Sequence, residues 1–148
     1  MSRIRRASAA DLPGLLRLYA QLNPSDPAIP LVRAAEIFEQ FHSCDGNAIF
    51  VAALGDEIIA TCALVVVANL TRGGAPYGLI ENVVTDAGHR KLGFGRAVLR
   101  AAISAAWEEG CYKVMLLTGS ANPATLRFYL QTGFQQNKTG FQVRRPIS

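Results

Sequence analysis

The sequence lacks any apolar segment long enough to cross a bilayer, although 50% of its 148 residues are hydrophobic. A spanning helix needs about 20 apolar residues in a row. The longest apolar run, residues 58–68, is shorter and is interrupted by Thr61. No apolar core follows the first basic residues, so we expect neither a secretory leader nor a membrane partner. The composition is typical of one globular domain with a proper core.

Cysteine is scarce and scattered. The three cysteines, Cys44, Cys62 and Cys111, lie far apart, and no Cys-x-x-Cys pair occurs. This spacing matches neither a disulfide framework nor a zinc site. The sequence therefore predicts free thiols in a reducing, cytoplasmic compartment and no bound metal.

Charged residues are also few, at 18% of the chain, and the net charge is +4. RNA-binding proteins typically carry a basic strip interleaved with aromatic residues. The positive residues of this chain form neither such a strip nor a dense run. We therefore expect no nucleic-acid partner. A small anionic ligand explains the basic cluster at residues 90–100 more economically.

The most informative segment runs from residue 80 to residue 99. It begins with strand-forming Ile80, Val83 and Val84, breaks at a turn signal in residues 86–88, and then continues with apolar residues at helical spacing. Between strand and helix lies a basic loop that contains glycine. Its residues are Arg90, Lys91, Leu92, Gly93, Phe94, Gly95 and Arg96. Glycine permits close approach of a ligand to the backbone, and a helix N-terminus attracts anions. The loop therefore predicts a phosphate or pyrophosphate site.

Two common phosphate motifs do not fit this loop. The dinucleotide fingerprint requires a glycine where Val98 stands, and the P-loop requires Gly-Lys-Ser/Thr after the glycines. The pattern Arg-x-x-Gly-x-Gly at Arg90, Gly93 and Gly95, directly after a strand, instead resembles the GNAT superfamily of N-acetyltransferases. The resemblance implies that the loop binds the pyrophosphate of acetyl-CoA. The alternative is an ordinary glycine-rich turn on a basic surface.

A second resemblance lies near the C-terminus, where Asn122 is followed by Tyr129 and then by the pair Gly133-Phe134. This is similar to the C-terminal motif of the superfamily. It implies that Asn122 contacts the CoA arm and that the Tyr129 hydroxyl lies near the thioester sulfur as a candidate general acid. The alternatives are a helix cap for Asn122 and a core aromatic residue for Tyr129.

The predicted elements follow the order β-α-α-β-β-β-α-β-α-β, which is the order of the superfamily over almost the whole chain. Ser8 and Asp11 predict a capping box before the first helix, and Gly110 predicts the end of the third helix. Residues 112–118 and 141–144 predict the last two strands. The resemblance implies an α/β (α+β) fold in a single domain, residues 1–148. Its central sheet is mixed, mostly antiparallel, flanked by helices and splayed at the two central strands.

In such a fold the pantetheine arm of CoA fills the gap between the splayed strands. The resemblance implies that it binds backbone groups of Val83, Val84 and Thr85. Glu81 is the candidate general base, acting directly or through water. His42 and His89 are alternative bases, and Cys111 is an alternative nucleophile, although buried packing suits a cysteine without a nearby histidine pattern.

The resemblance therefore implies an acetyl-CoA-dependent N-acetyltransferase that acts by direct transfer on the primary amine of a small molecule, as a homodimer. Residues 80–84 and 111–113 partially resemble the glucosamine-6-phosphate N-acetyltransferase branch, which carries Glu-Asp where this chain has Glu81-Asn82. Two alternatives stay open, a non-catalytic CoA-binding or regulatory module and a protein N-acetyltransferase.

Overall fold

The computed structural model describes residues 2–147, and these divide between Leu116 and Leu117 into two compact units. The first unit contains most of the regular structure. Its strands are β1 (Ser2–Arg6), β2 (Ala48–Leu54), β3 (Glu57–Val67), β4 (Tyr77–Thr85) and β5 (Val114–Met115), and its helices are α1 (Leu12–Leu22), α2 (Leu31–His42) and α3 (Phe94–Glu108).

The five strands form one sheet in the order β1-β2-β3-β4-β5. Neighbours from β1 to β4 are antiparallel, and β5 lies parallel to β4. A short turn at Gly55, whose φ is +58°, connects β2 and β3, as the Gly-Asp pair between two apolar runs predicts. The predicted mixed, mostly antiparallel sheet flanked by helices is confirmed.

The helices cover both faces of the sheet. On one face, α1 and α2 pack against β2, β3 and β4 in a cluster that includes Leu15, Leu18 and Val84. The packing is close, because a Cβ added at Gly14 would lie 2.9 Å from Cγ1 of Ile58. On the other face the Cys62 thiol of β3 donates to the Val98 carbonyl of α3 at 3.4 Å.

The predicted capping box before α1 is present. The carboxylate of Asp11 accepts from the Ser8 N–H at 2.8 Å, and Oδ1 and Oδ2 also accept from the Arg5 guanidinium at 2.9 and 2.7 Å. These bonds, with the Arg5 hydrogen bond as the largest cause, hold the pKa of Asp11 below its usual range. A depressed folded-state pKa stabilises the fold above the unfolded pKa, near 4, and this contribution is lost as the pH falls towards the folded pKa.

We therefore expect Asp11→Asn to lower the free energy of unfolding by about 1–2 kcal/mol at pH 7. Urea denaturation measured at several pH values checks this, because the gap between wild type and variant should shrink once the pH drops below about 4. A gap that stays constant down to pH 2 would contradict the assigned role of the ionised carboxylate.

Within residues 117–147 the second unit contains one helix, α4 (Pro123–Thr132). It begins after Asn122, whose side-chain oxygen accepts from the Ala124 N–H at 2.9 Å, and proline occupies its first position. It ends at Gly133, whose φ of +114° suits glycine.

Two predictions about the last strands need correction. The strand predicted over residues 112–118 is only the two-residue β5, and the strand predicted over residues 141–144 is wrong, because residues 133–147 form no helix or strand. Phe141 and Val143 are 91% and 97% exposed. Alternation of apolar and polar residues favours a strand, but a strand forms only where a neighbour satisfies its backbone, and within residues 2–147 this segment pairs with none.

Candidate functional site

The pairing of β4 with β5 covers only the start of β4. Gly78 pairs with Val114 and Leu79 with Met115, and the register of the two strands ends there. β4 continues to Thr85, so its second half has no β5 neighbour within the described residues of the sheet. This open edge of β4, residues 80–85, presents backbone N–H and C=O groups that need another partner.

A β-bulge lies in the middle of the open edge. Ala63 pairs with Glu81 and Thr61 with Val84, so Cys62 alone stands opposite two residues. Asn82, one of the two, has a φ of +53°, a conformation that asparagine tolerates better than most residues. Bulges redirect the backbone and are common beside active sites.

The bulge changes which backbone groups face the open edge. The Gly78 N–H donates to the Lys113 carbonyl beside β5 at 2.9 Å, whereas the Asp86 N–H donates to the Ile59 carbonyl of β3 at 2.7 Å. An unbroken strand would point both N–H groups to the same edge, because the two residues are an even number of positions apart. Counting back from Asp86 to the bulge, alternation directs the Thr85 N–H to the open edge and the Val84 N–H to β3. Val83 lies in the bulge itself.

The predicted phosphate loop follows directly. After a short turn at Ala87–His89, residues 90–93 are exposed and lead into α3. Lys91 and Gly93 have φ values of +63° and +90°. Neither Arg90 nor Lys91 forms an ion pair within residues 2–147, and Nε of Arg90 donates to the Thr85 carbonyl at 3.4 Å.

The first turn of α3 has no side-chain cap. Gly93 is its N-cap residue and makes no side-chain hydrogen bond, and the first bond of the helix runs from the Ala97 N–H to the Gly93 carbonyl at 3.0 Å. The N–H groups of Phe94 and Gly95 therefore have no acceptor in the helix. Gly95 is buried and Leu92 is exposed. Exposed positive charge beside an uncapped helix start is suited to an anion.

The two catalytic candidates belong to different units. Glu81 lies on β4 beside the bulge and is exposed. Tyr129 lies on α4 and is half-buried, with its ring centroid 5.1 Å from that of Phe128 and 6.1 Å from that of Phe134. Asn122 caps α4, as its alternative interpretation predicted. The predicted roles of these residues in catalysis and CoA binding stay predictions.

The alternative bases and the alternative nucleophile have structural partners. Nδ1 of His42 lies 2.7 Å from the Phe38 carbonyl, and its ring packs 4.2 Å from that of Phe38. Burial raises the pKa of the Cys111 thiol, and Glu109 adds to the rise. A raised pKa disfavours the reactive thiolate, so Cys111 is poorly suited to nucleophilic attack.

Sequence reasoning missed the carboxylate that precedes the loop. Asp86 accepts hydrogen bonds from Arg17 and Gln21 of α1 and from His89 of its own turn. These bonds hold the pKa of Asp86 far below its usual range, with the Gln21 bond as the largest cause and the His89 bond next. His89 is therefore a partner of Asp86. A residue that follows a strand and precedes a turn, as Asp86 does, signals a local cap, but its partners on α1 are 65 and 69 positions away.

Two kinds of feature are absent from residues 2–147. No helix is long and apolar enough to cross a membrane. No group of three or more histidine, cysteine, aspartate or glutamate side chains is arranged to hold a metal ion.

Comparison with known families decides the assignment. The model of the acetyltransferase (GNAT) family matches residues 14–134. The chain belongs to this family. It is an acetyl-CoA-dependent N-acetyltransferase, and the predicted resemblance is confirmed.

The individual relatives carry three different names. A protein from Agrobacterium tumefaciens that is assigned as an acetyltransferase is 50% identical, with a TM-score of 0.91 over 97% of this chain and 99% of that chain. A glucosamine 6-phosphate N-acetyltransferase of Oryza sativa is 33% identical over 89% of this chain and 80% of its own length. A transcriptional regulator from Bacillus halodurans is 28% identical, with a TM-score of 0.89 over 98% of this chain and 100% of that chain.

Proposed function

We propose that this GNAT enzyme transfers the acetyl group of acetyl-CoA directly to the primary amine of a small molecule, and that the pantetheine arm lies along the open edge of β4. The observation that carries the proposal is the end of β4–β5 pairing at Leu79 and Met115. It leaves the edge-facing backbone groups of residues 80–85 without a β5 partner within the described residues, so that a ligand can pair with them. The arm of CoA contains amides that can pair with such an edge as an added strand would.

The chemistry assigns each residue one task. The amine nitrogen attacks the thioester carbon, and Glu81 accepts the amine proton, directly or through water. A backbone N–H of the open edge, such as that of Val83, stabilises the oxyanion of the tetrahedral intermediate. The carbon–sulfur bond then breaks, and the departing sulfur takes a proton from the Tyr129 hydroxyl. Return of the proton from Glu81 to Tyr129 through solvent restores both side chains. Acetylated amine and CoA are the products.

We also propose that the two units act as one domain over residues 1–148, because the family model spans residues 14–134 and so crosses their boundary. A homodimer in the cytoplasm is part of the same proposal. The dimer is supported by the exposed apolar side chains of Phe141, Val143 and Ile147, which a second copy would cover, and the cytoplasmic location by the three free cysteines. A monomer in sedimentation equilibrium would contradict the dimer.

The pyrophosphate of acetyl-CoA is proposed to bind the loop of residues 90–96 through backbone N–H groups more than through side chains. Gly95→Val would place a β-branched side chain in the path of the pyrophosphate. We expect acetyl-CoA affinity, measured by calorimetry, to fall at least tenfold, or about 1.4 kcal/mol. Ser104→Val is a matched control, because it adds the same side chain at an exposed position of the same helix. Equal affinity of a folded Gly95→Val variant and the control would rule out this loop.

A regulatory module that binds CoA without turnover is the second candidate function, and the name of the Bacillus halodurans relative favours it. A free-thiol release assay with acetyl-CoA and a panel of small amines separates the two candidates. Release of CoA with one acceptor supports the enzyme. Tight CoA binding without release across amino sugars, their phosphates and aminoalkyl phosphonates would support the regulator. The panel should also include a peptide, because release with the peptide alone would indicate a protein N-acetyltransferase.

A further inference from the structure

The carboxylate of Asp86 is bonded to α1 on one side. Its Oδ1 accepts from Nη1 of Arg17 at 2.9 Å and from Nε2 of Gln21 at 2.8 Å. The other amide atom of Gln21, Oε1, accepts from the Ala87 N–H at 3.0 Å. Arg17 also donates through Nη2 to the Ile58 carbonyl. Two side chains of α1 therefore hold both the carboxylate and the backbone of the turn after β4.

The second oxygen of Asp86 is bonded to the turn itself. Oδ2 accepts from the Gly88 N–H at 3.1 Å and lies 2.8 Å from Nδ1 of His89. Because an ionised carboxylate only accepts hydrogen bonds, Nδ1 carries the proton in this contact. The His89 ring meets the ring of Phe94 edge-on, with centroids 6.4 Å apart. Phe94 is the first residue of α3, so the contacts of one carboxylate extend from α1 to the start of the loop helix.

The loop that follows is held far less firmly. Residues 90–93 are exposed, and the backbone adopts positive φ values at Lys91 and Gly93. A loop of this kind loses conformational entropy when it closes on a ligand, and fixing its ends in advance reduces that loss. The turn at Ala87–His89 is one fixed end, and α3 is the other.

We propose that Asp86 is a positioning residue for acetyl-CoA binding. Through Arg17 and Gln21 it holds the start of the basic loop, residues 90–96, in the conformation that binds acetyl-CoA. The inference rests on the proposed role of residues 90–96 in binding the pyrophosphate. The Asp86 carboxylate has four hydrogen-bonding partners, and the proposed chemistry gives it no role at the reacting atoms. Its loss should therefore weaken acetyl-CoA binding and leave the chemical step intact.

The sign of the effect separates positioning from electrostatics. Asp86 carries a negative charge four positions or more before the basic loop, so it repels an anionic ligand there. If the charge alone mattered, removal of the carboxylate would lower the KM for acetyl-CoA. Positioning requires the opposite, a higher KM.

Steady-state kinetics of Asp86→Asn test the inference. We expect the KM for acetyl-CoA to rise about tenfold, the size expected for lost hydrogen bonds to a charged group, and kcat at saturating acetyl-CoA to stay within about twofold. Gln21→Leu keeps the carboxylate but removes two of the contacts of the turn, and it should raise KM by a smaller factor. If Asp86→Asn does not fold, Gln21→Leu serves as the test. Double mutation should give less than the product of the single effects, because both changes act on the same contacts.

Asp11→Asn is the matched control. Asp11 also bonds an arginine and caps a short turn, but it lies at the start of α1, and its variant should keep the wild-type KM. An unchanged or lower KM in Asp86→Asn, or a loss confined to kcat, would overturn the inference. If Gly95→Val raises the KM for acetyl-CoA while Asp86→Asn does not, the positioning role of Asp86 is overturned and the proposed role of the loop stands. If neither variant changes the KM for acetyl-CoA, the proposed role of the loop is overturned, and with it the positioning role of Asp86.

Discussion

Replacement of Tyr129 with phenylalanine is expected to reduce kcat by about a hundredfold, the lower end of what a general acid contributes. The variant keeps the ring and therefore its packing against Phe128 and Phe134. Only the hydroxyl that would protonate the departing sulfur is lost. A thiol has a pKa near 8.5, so a thiolate can leave unprotonated at neutral pH, which is why activity should fall but not vanish.

Acetyl-CoA binding decides how this result is interpreted. Calorimetry should give the same dissociation constant for Tyr129→Phe and wild type within about twofold. Tyr112→Phe provides the matched control, because it removes a hydroxyl from an exposed tyrosine. A Tyr129→Phe variant that no longer binds acetyl-CoA would show that the tyrosine is structural.

Glu81→Gln tests the other proposed proton transfer, the removal of a proton from the acceptor amine. The acceptor amine is most protonated at low pH, so a base matters most there. The loss of kcat/KM relative to wild type should therefore grow as the pH falls from 9 to 6. A loss that is independent of pH would indicate that Glu81 binds the acceptor without moving a proton.

Local signals in the sequence were sufficient for most of the fold. The Ser8–Asp11 capping box needs only residues three positions apart, and the structure contains it. Gly110, with a φ of +82°, follows the end of α3 where a C-terminal glycine predicts it. The glycine pattern of residues 93–95 likewise predicted the start of α3, because helix starts and turns depend on neighbouring residues.

Features that depend on distant partners could not be predicted in this way. The bulge at Asn82 is a change of register between β3 and β4. No residue pattern within β4 specifies that change. The partners of Asp86 on α1 lie far away in sequence. The strand predicted over residues 141–144 failed for the same reason, since its pattern is that of a strand but no neighbour pairs with it within residues 2–147.

The acceptor class is the other prediction with a large expected effect. We propose that the acceptor is a small primary amine that carries a phosphate or phosphonate, such as an amino sugar phosphate. The Oryza sativa relative is named a glucosamine 6-phosphate N-acetyltransferase. Four exposed basic residues of the second unit, which form no ion pair within residues 2–147, are candidates to receive the phosphate. They are Arg127, Lys138, Arg144 and Arg145.

If this is correct, glucosamine 6-phosphate should exceed glucosamine in kcat/KM by well over tenfold, or more than about 1.4 kcal/mol. The same comparison applies to an aminoalkyl phosphonate and its uncharged analogue. Added salt should reduce the gap, because exposed charges are screened over about 10 Å at 0.1 M ionic strength. Each of the four basic residues is then replaced by glutamine in turn. The variant that loses the preference for the phosphorylated acceptor identifies the residue that contacts the phosphate. Equal kcat/KM for both members of each pair would exclude an acceptor-phosphate pocket and leave a general small-amine acetyltransferase. The presence of Asn82, where the glucosamine-phosphate branch carries aspartate, would then help to explain the lack of preference.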